Sequence, residues 1–166
     1  NILLPSGYSL GVDTTIFAAA VATQVKRIKL LWATRMGEDW PPQLARRIAT
    51  LDRILGPNAS GTGGRLNVNI ISSDMPGEKI ESGPRYRRGT EVMKIIRTLL
   101  SGEHLDIQGE FYQLNLYPAR NSTISVSVAA KPPWLKSCAA VNICFVRPAT
   151  SSSIRRISRC RSAIGA

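Results

Sequence analysis

KLLWATRMGEDWPPQLARRIATLDRILGPNASGTGGRLNVNIISS, running from Lys29 to Ser73, decides the fold of this chain. Arg27-Ile28-Lys29-Leu30-Leu31-Trp32-Ala33 is an apolar run bounded by charge, which predicts a strand ending at Thr34-Arg35-Met36-Gly37. Pro41-Pro42 then opens a helix, because a proline in the first turn removes no hydrogen bond the helix needs. Leu44, Ile48, Leu51 and Leu55 recur at helical spacing and form one apolar stripe, with Arg46, Arg47 and Arg53 left for water. Leu66-Asn67-Val68-Asn69-Ile70-Ile71 reads as the next strand and runs into Ser72-Ser73-Asp74. A helix between two strands is the crossover that parallel pairing requires, and such crossovers are right-handed.

The rhythm extends both ways. Upstream, Ile2-Leu3-Leu4-Pro5-Ser6-Gly7 reads as a strand end, and Asp13 or Thr14 caps a helix through Ile16 to Thr23. Downstream, Val92, Ile95, Ile96, Leu99 and Leu100 give a second amphipathic helix over 85–100. Leu105 to Leu114 then reads as two short strands around a glycine turn. Successive βα units predict an α/β fold, either a doubly wound sheet or a (β/α)₈ barrel.

Several phrases carry a resemblance: Leu4-Pro5-Ser6-Gly7, Ala45-Arg46-Arg47-Ile48-Ala49-Thr50-Leu51-Asp52-Arg53, Gly64-Arg65-Leu66-Asn67-Val68-Asn69-Ile70-Ile71-Ser72-Ser73, Arg85-Tyr86 and Gly109-Glu110-Phe111-Tyr112. In this order, over residues 2–120, the chain resembles the bacterial luciferase-like flavin monooxygenases, and within them the alkanesulfonate monooxygenases. The resemblance implies a partial (β/α)₈ TIM barrel with reduced FMN at the C-terminal ends of its strands. It implies a separate flavin reductase as partner, O₂ and an alkanesulfonate or similar small organosulfur compound as substrates, an aldehyde and sulfite as products, and a homo-oligomer in the intact family.

By position, the resemblance places Ala33 and Thr34 against the isoalloxazine ring, Asn69, Ser72 and Ser73 near the ring and ribityl chain, and Tyr86 beside the flavin or the substrate. Plainer readings stand beside these: Asn69 and Ser72 as residues satisfying backbone groups at a strand end, Ala33 as an ordinary strand residue, Tyr86 as packing on its helix. Two positions depart from the family. Leu10 stands where the alkanesulfonate enzymes carry a cysteine near the substrate, and 57–63 forms an insertion between helix and strand. A polar loop of that length costs little closure entropy. The family's catalytic residues lie in the barrel's second half, so none is assigned.

The chain has 166 residues, fewer than the roughly 250 of such a barrel. The barrel reading covers 1–120. Beyond it, 121–166 reads as a low-order basic tail: from Phe111 onward there are eight of the 22 basic residues, none of the 11 acidic ones, and all three cysteines. We read it as frame-shifted translation of the barrel's second half. This leaves two accounts, a flavin monooxygenase of which the chain is a part, and a noncatalytic truncated remnant. A lesser alternative is a nucleic-acid binder, since a net charge of +11 suits phosphates. Trp134 and Phe145 alone beyond Arg120 offer little stacking, and no readout module is present.

Cys138, Cys144 and Cys160 with His104 give no zinc-ligand spacing, so no metal is expected. An odd cysteine number without a secretory signal points to the cytoplasm. His104 reads as a solvated loop residue. Gly61-Thr62-Gly63-Gly64 precedes a strand, the wrong order for a phosphate loop. No stretch reaches the ~18 apolar residues of a membrane span.

Overall fold

The computed structural model describes residues 1–59 and 64–117 and the backbone of two further strands. The elements are β1 (Ile2–Leu4), α1 (Thr14–Gln24), β2 (Leu30–Arg35), α2 (Pro41–Leu55), β3 (Leu66–Ile71), α3 (Ser82–Ser101), β4 (Leu105–Gln108), β5 (Gln113–Leu116), β6 (Val126–Val128) and β7 (Ala140–Phe145). β1, β2 and β3 are parallel neighbours, with Leu4 paired to Trp32 and Trp32 to Val68. That is the βαβαβ series expected of the barrel.

Pairing of this kind sorts side chains by face. Leu4, Leu30, Trp32, Leu66, Val68 and Ile70 share the face that meets the helices, and join Leu44, Ile48, Ile95 and Ile96 in one buried core. Ala33, Arg35, Asn69 and Ile71 fall on the opposite face, which a closed barrel turns inward. A helix layer on one side and a polar-bearing row on the other therefore follow from register alone.

β2 begins at Leu30, three residues later than the sequence suggests. The reason is Arg65, which is 3% exposed. Its Nη1 donates to the carbonyls of Val25 (3.0 Å) and Ile28 (3.3 Å), and its Nη2 donates to that of Leu55. Carbonyls taken by a side chain are lost to the ladder. α3 begins at Ser82 rather than Arg85, since Pro84 sits in the first turn, where its missing N–H costs nothing. Asp13 caps α1 as expected, accepting from the N–H groups of Thr15 (2.8 Å) and Ile16 (3.0 Å).

β4 and β5 form the expected hairpin, closed by the Gly109 N–H donating to the Tyr112 carbonyl at 2.8 Å. Glu91 of α3 holds this turn by accepting from the N–H groups of Glu110, Phe111 and Tyr112. β6 and β7 fall in the segment where the sequence suggests no regular element. β7 runs antiparallel to β3 and β6 antiparallel to β7. Val141 and Ile143 are β-branched, a composition that suits a strand when an open edge offers partners. Of the 57–63 insertion, 60–63 lie outside the described residues; Pro57 and Gly64 bridge its base.

Candidate active site

A cleft of about 800 Å³ opens at the C-terminal ends of β1 and β2. Its walls come from the β1–α1 loop (Ser6, Tyr8, Leu10), the head of α1, and the β2–α2 loop (Glu38, Asp39). Ala33 and Thr34 lie in its floor, 3% and 2% exposed. Leu10, the position at which the sequence departs from the alkanesulfonate enzymes, also lines it.

Asn69, Ser72 and Ser73 form a second polar group at the end of β3. Asn69 is the register partner of Ala33, so the two share a face. Asn69 Oδ1, Ser72 Oγ and Ser73 Oγ are buried without a hydrogen-bond partner. Buried polar atoms left this way each cost about 1–3 kcal/mol, so each is an open position for a donor or acceptor of a ligand. Such a set suits the heteroatom edge and hydroxyl chain of a flavin. Ser72 is covered by α3, where a Cβ on Gly89 would stand 3.7 Å from Ser72 Oγ. Ala33, Thr34, Asn69, Ser72 and Ser73 thus lie at or just past the ends of two neighbouring parallel strands, β2 and β3. Of these only Ala33 and Thr34 line the cleft; Asn69, Ser72, Ser73 and Tyr86 lie outside its lining, Tyr86 being 46% exposed on α3.

Three charged residues of the cleft escape the sequence reading. Ser6 Oγ donates to Glu38 Oε1 and Oε2 at 2.9 and 3.2 Å, and the Arg35 N–H donates to Glu38 Oε2 at 3.2 Å. Arg47, expected to face water, pairs with Asp39 Oδ1 and Oδ2 at 2.6 and 2.7 Å. Burial is the larger influence on Asp39 and lifts its carboxyl above the ordinary 3.8, although Arg47 pulls the other way. The signal was present: two acids directly after a strand, where barrel enzymes place their sites.

Arginines fasten the β3–α3 loop beside the cleft. Arg35 Nη1 donates to the Asp74 carbonyl at 2.9 Å, Arg85 pairs with the Asp74 carboxylate, and Arg88 grips Glu78 through two bonds of 2.9 and 3.1 Å. The Arg88 bond holds the Glu78 carboxyl below its ordinary 4.5.

The family model for luciferase-like monooxygenases matches residues 2–146. The chain belongs to the luciferase-like monooxygenase family. Among curated members, it is 85% identical over 125 residues to a sulfoquinovose monooxygenase of Novosphingobium aromaticivorans, covering 75% of this chain and 34% of that protein. A sulfoquinovose monooxygenase of Agrobacterium fabrum is 45% identical over 123 residues, covering 72% of this chain and 30% of that protein. This luciferase-like chain therefore spans about a third of the curated relatives it matches. Both are named for sulfoquinovose, not for an alkanesulfonate. Solved structures agree on the fold: EDTA monooxygenase from Chelativorans sp. BNC1 superposes with a TM-score of 0.58 at 17% identity, covering 70% of this chain and 35% of that one. A riboflavin lyase, solved with modified FMN and riboflavin, gives 0.57 at 18% identity, covering 68% and 31%. Among the described residues no helix is long and apolar enough to cross a membrane.

Proposed function

We propose that this chain is part of a reduced-FMN-dependent monooxygenase acting on sulfoquinovose, a hexose that carries a sulfonate. The observation that supports it most is the 85% identity to a sulfoquinovose monooxygenase over 125 residues, a stretch long enough to include the strand ends described above. The alkanesulfonate of the sequence reading gives way to a sulfonated sugar, which keeps the organosulfur class and changes the rest of the molecule.

Reduced FMN, when bound, supplies the electrons that activate O₂. Of this chain's own residues, Asn69, Ser72 and Ser73 would hold its polar edge and side chain with atoms that otherwise lack partners. The backbone of Ala33 and Thr34, both almost fully buried at the end of β2, would form the dry surface beneath the ring, since their side chains alternate to opposite faces of the sheet. Excluding water there strengthens every nearby hydrogen bond. Tyr86 is proposed as a contact from α3. A separate reductase delivers the reduced flavin, and the protein works in the cytoplasm.

A second reading, a noncatalytic member, is favoured by one observation. β7 pairs antiparallel with β3 along the edge where a (β/α)₈ barrel continues with a parallel strand. One assay separates the two: sulfite release from sulfoquinovose with FMN and a reductase. Sulfite above the enzyme-free control supports the monooxygenase, and its absence despite reduced-FMN binding supports the second reading.

A further inference from the structure

The cleft holds charged groups that neither the family resemblance nor the flavin reading uses. We infer that Glu38 and Asp39 are specificity-determining residues that accept hydrogen bonds from the hydroxyls of a polyhydroxylated substrate, a role that rests on the sulfonated-sugar reading above.

Size permits it, since a cleft of about 800 Å³ lies within the usual range for small-molecule sites. Chemistry favours it. An ionised carboxylate is acceptor-only, with about four lone-pair sites over its two oxygens. Glu38 spends part of that capacity on Ser6 and the Arg35 N–H, and Asp39 part on Arg47. Sugar hydroxyls are donors that match what remains. An alkyl chain in the same place would desolvate two carboxylates and offer them nothing, a cost that makes the cleft hostile to simple alkanesulfonates.

Both carboxylates are held before any ligand arrives, Glu38 from the loop after β1 and from β2, and Asp39 from α2. Little ordering cost remains to be met on binding. Tyr8, 85% exposed in the same lining, offers a ring face to the C–H surface of a pyranose. The lining carries the carboxylates of Asp13, Glu38 and Asp39 against the single guanidinium of Arg47. That sign repels a sulfonate, so the sugar ring lies in the cleft and its sulfonate points away from these carboxylates.

The test is calorimetric titration of sulfoquinovose and of 1-hexanesulfonate into the chain and its Glu38→Gln and Asp39→Asn variants, with reduced-FMN affinity and sulfite release measured in parallel. Glu38→Gln keeps an acceptor for Ser6 and removes the charge. It is expected to weaken sulfoquinovose about tenfold, while 1-hexanesulfonate, having no hydroxyls, binds no worse. Asp39→Asn acts in the same direction. Equal losses for both sulfonates, no loss for either, or no sulfoquinovose binding by the parent chain overturns the inference. Retained sulfite release with an unchanged ratio overturns it while leaving the proposed function standing. Loss of reduced-FMN binding and of sulfite release in the parent chain instead removes the function itself.

Discussion

Ser6 and Glu38 are joined across 32 residues of sequence by a hydroxyl that reaches both carboxylate oxygens, at 2.9 and 3.2 Å. The bond ties the loop after β1 to the loop after β2, and the cleft lies between them. Ser6→Ala is expected to lower the unfolding free energy by about 0.5–1 kcal/mol, the usual range for one exposed hydrogen bond. Urea denaturation of the two proteins measures this; an unchanged midpoint would mean that the loops hold their places without it.

Arg65 is a strut at the opposite end of the sheet. It satisfies carbonyls after α1, before β2 and at the end of α2. Arg65→Met keeps the bulk and strands these acceptors, so a loss of about 3 kcal/mol is expected. Arg65→Lys recovers part of it, because an ammonium lacks the planar fork that serves several carbonyls together. Chemical denaturation of the three proteins would rank them Arg, Lys, Met.

Glu78 and Asp39 predict opposite responses to acid. The Arg88 bond lowers the Glu78 carboxyl from 4.5, so its stabilisation is full above that pH and fades as pH falls through the lowered value. Burial raises the Asp39 carboxyl from 3.8, so its contribution is full below that pH and is lost as pH rises through the raised value. Denaturation midpoints measured over about pH 3 to 6 should show a shallower acid decline in Glu78→Gln, with Glu110, which Arg87 also holds low, keeping part of it, and should gain stability at the upper end in Asp39→Asn. The second variant also loses an ion pair with Arg47, so a net destabilisation there would show the pair to outweigh burial.

The hairpin turn depends on Glu91. Its carboxylate accepts from three consecutive N–H groups, those of residues 110–112, at 2.7–3.1 Å. Glu91→Gln leaves a single carbonyl acceptor, so amide exchange at 110–112 should rise about tenfold while that of β3 is unchanged. Hydrogen-exchange mass spectrometry resolves the two regions.

At the proposed flavin contacts, Asn69→Ala combined with Ser72→Ala should weaken reduced-FMN binding about tenfold to a hundredfold. Their unpaired atoms predict little loss of stability in the free chain. Fluorescence titration reports the affinity; parent-like binding would exclude both residues from the site.

Much of this molecule was legible in the sequence. Sequence pattern placed β3 with its bounds and α2 with its start, because Pro41 opens the helix and Leu44, Ile48, Leu51 and Leu55 fit one of its faces; the structure adds its end at Gly56. The family was legible because its phrases follow one another in fixed order. Strand pairing, which residues share a face, and which carbonyls Arg65 occupies depend on contacts between residues distant in sequence. Local pattern carries no record of such contacts. For the same reason Arg47 reads as a solvated helix residue until folding brings Asp39 beside it, and Glu38 as a loop acid until Ser6 meets it. Sequence thus determined the elements from β1 to β5, their order and the family, but not β6 and β7, which form on the open edge of β3. Tertiary structure alone decided the cleft, because a cleft exists only where separate loops are brought side by side.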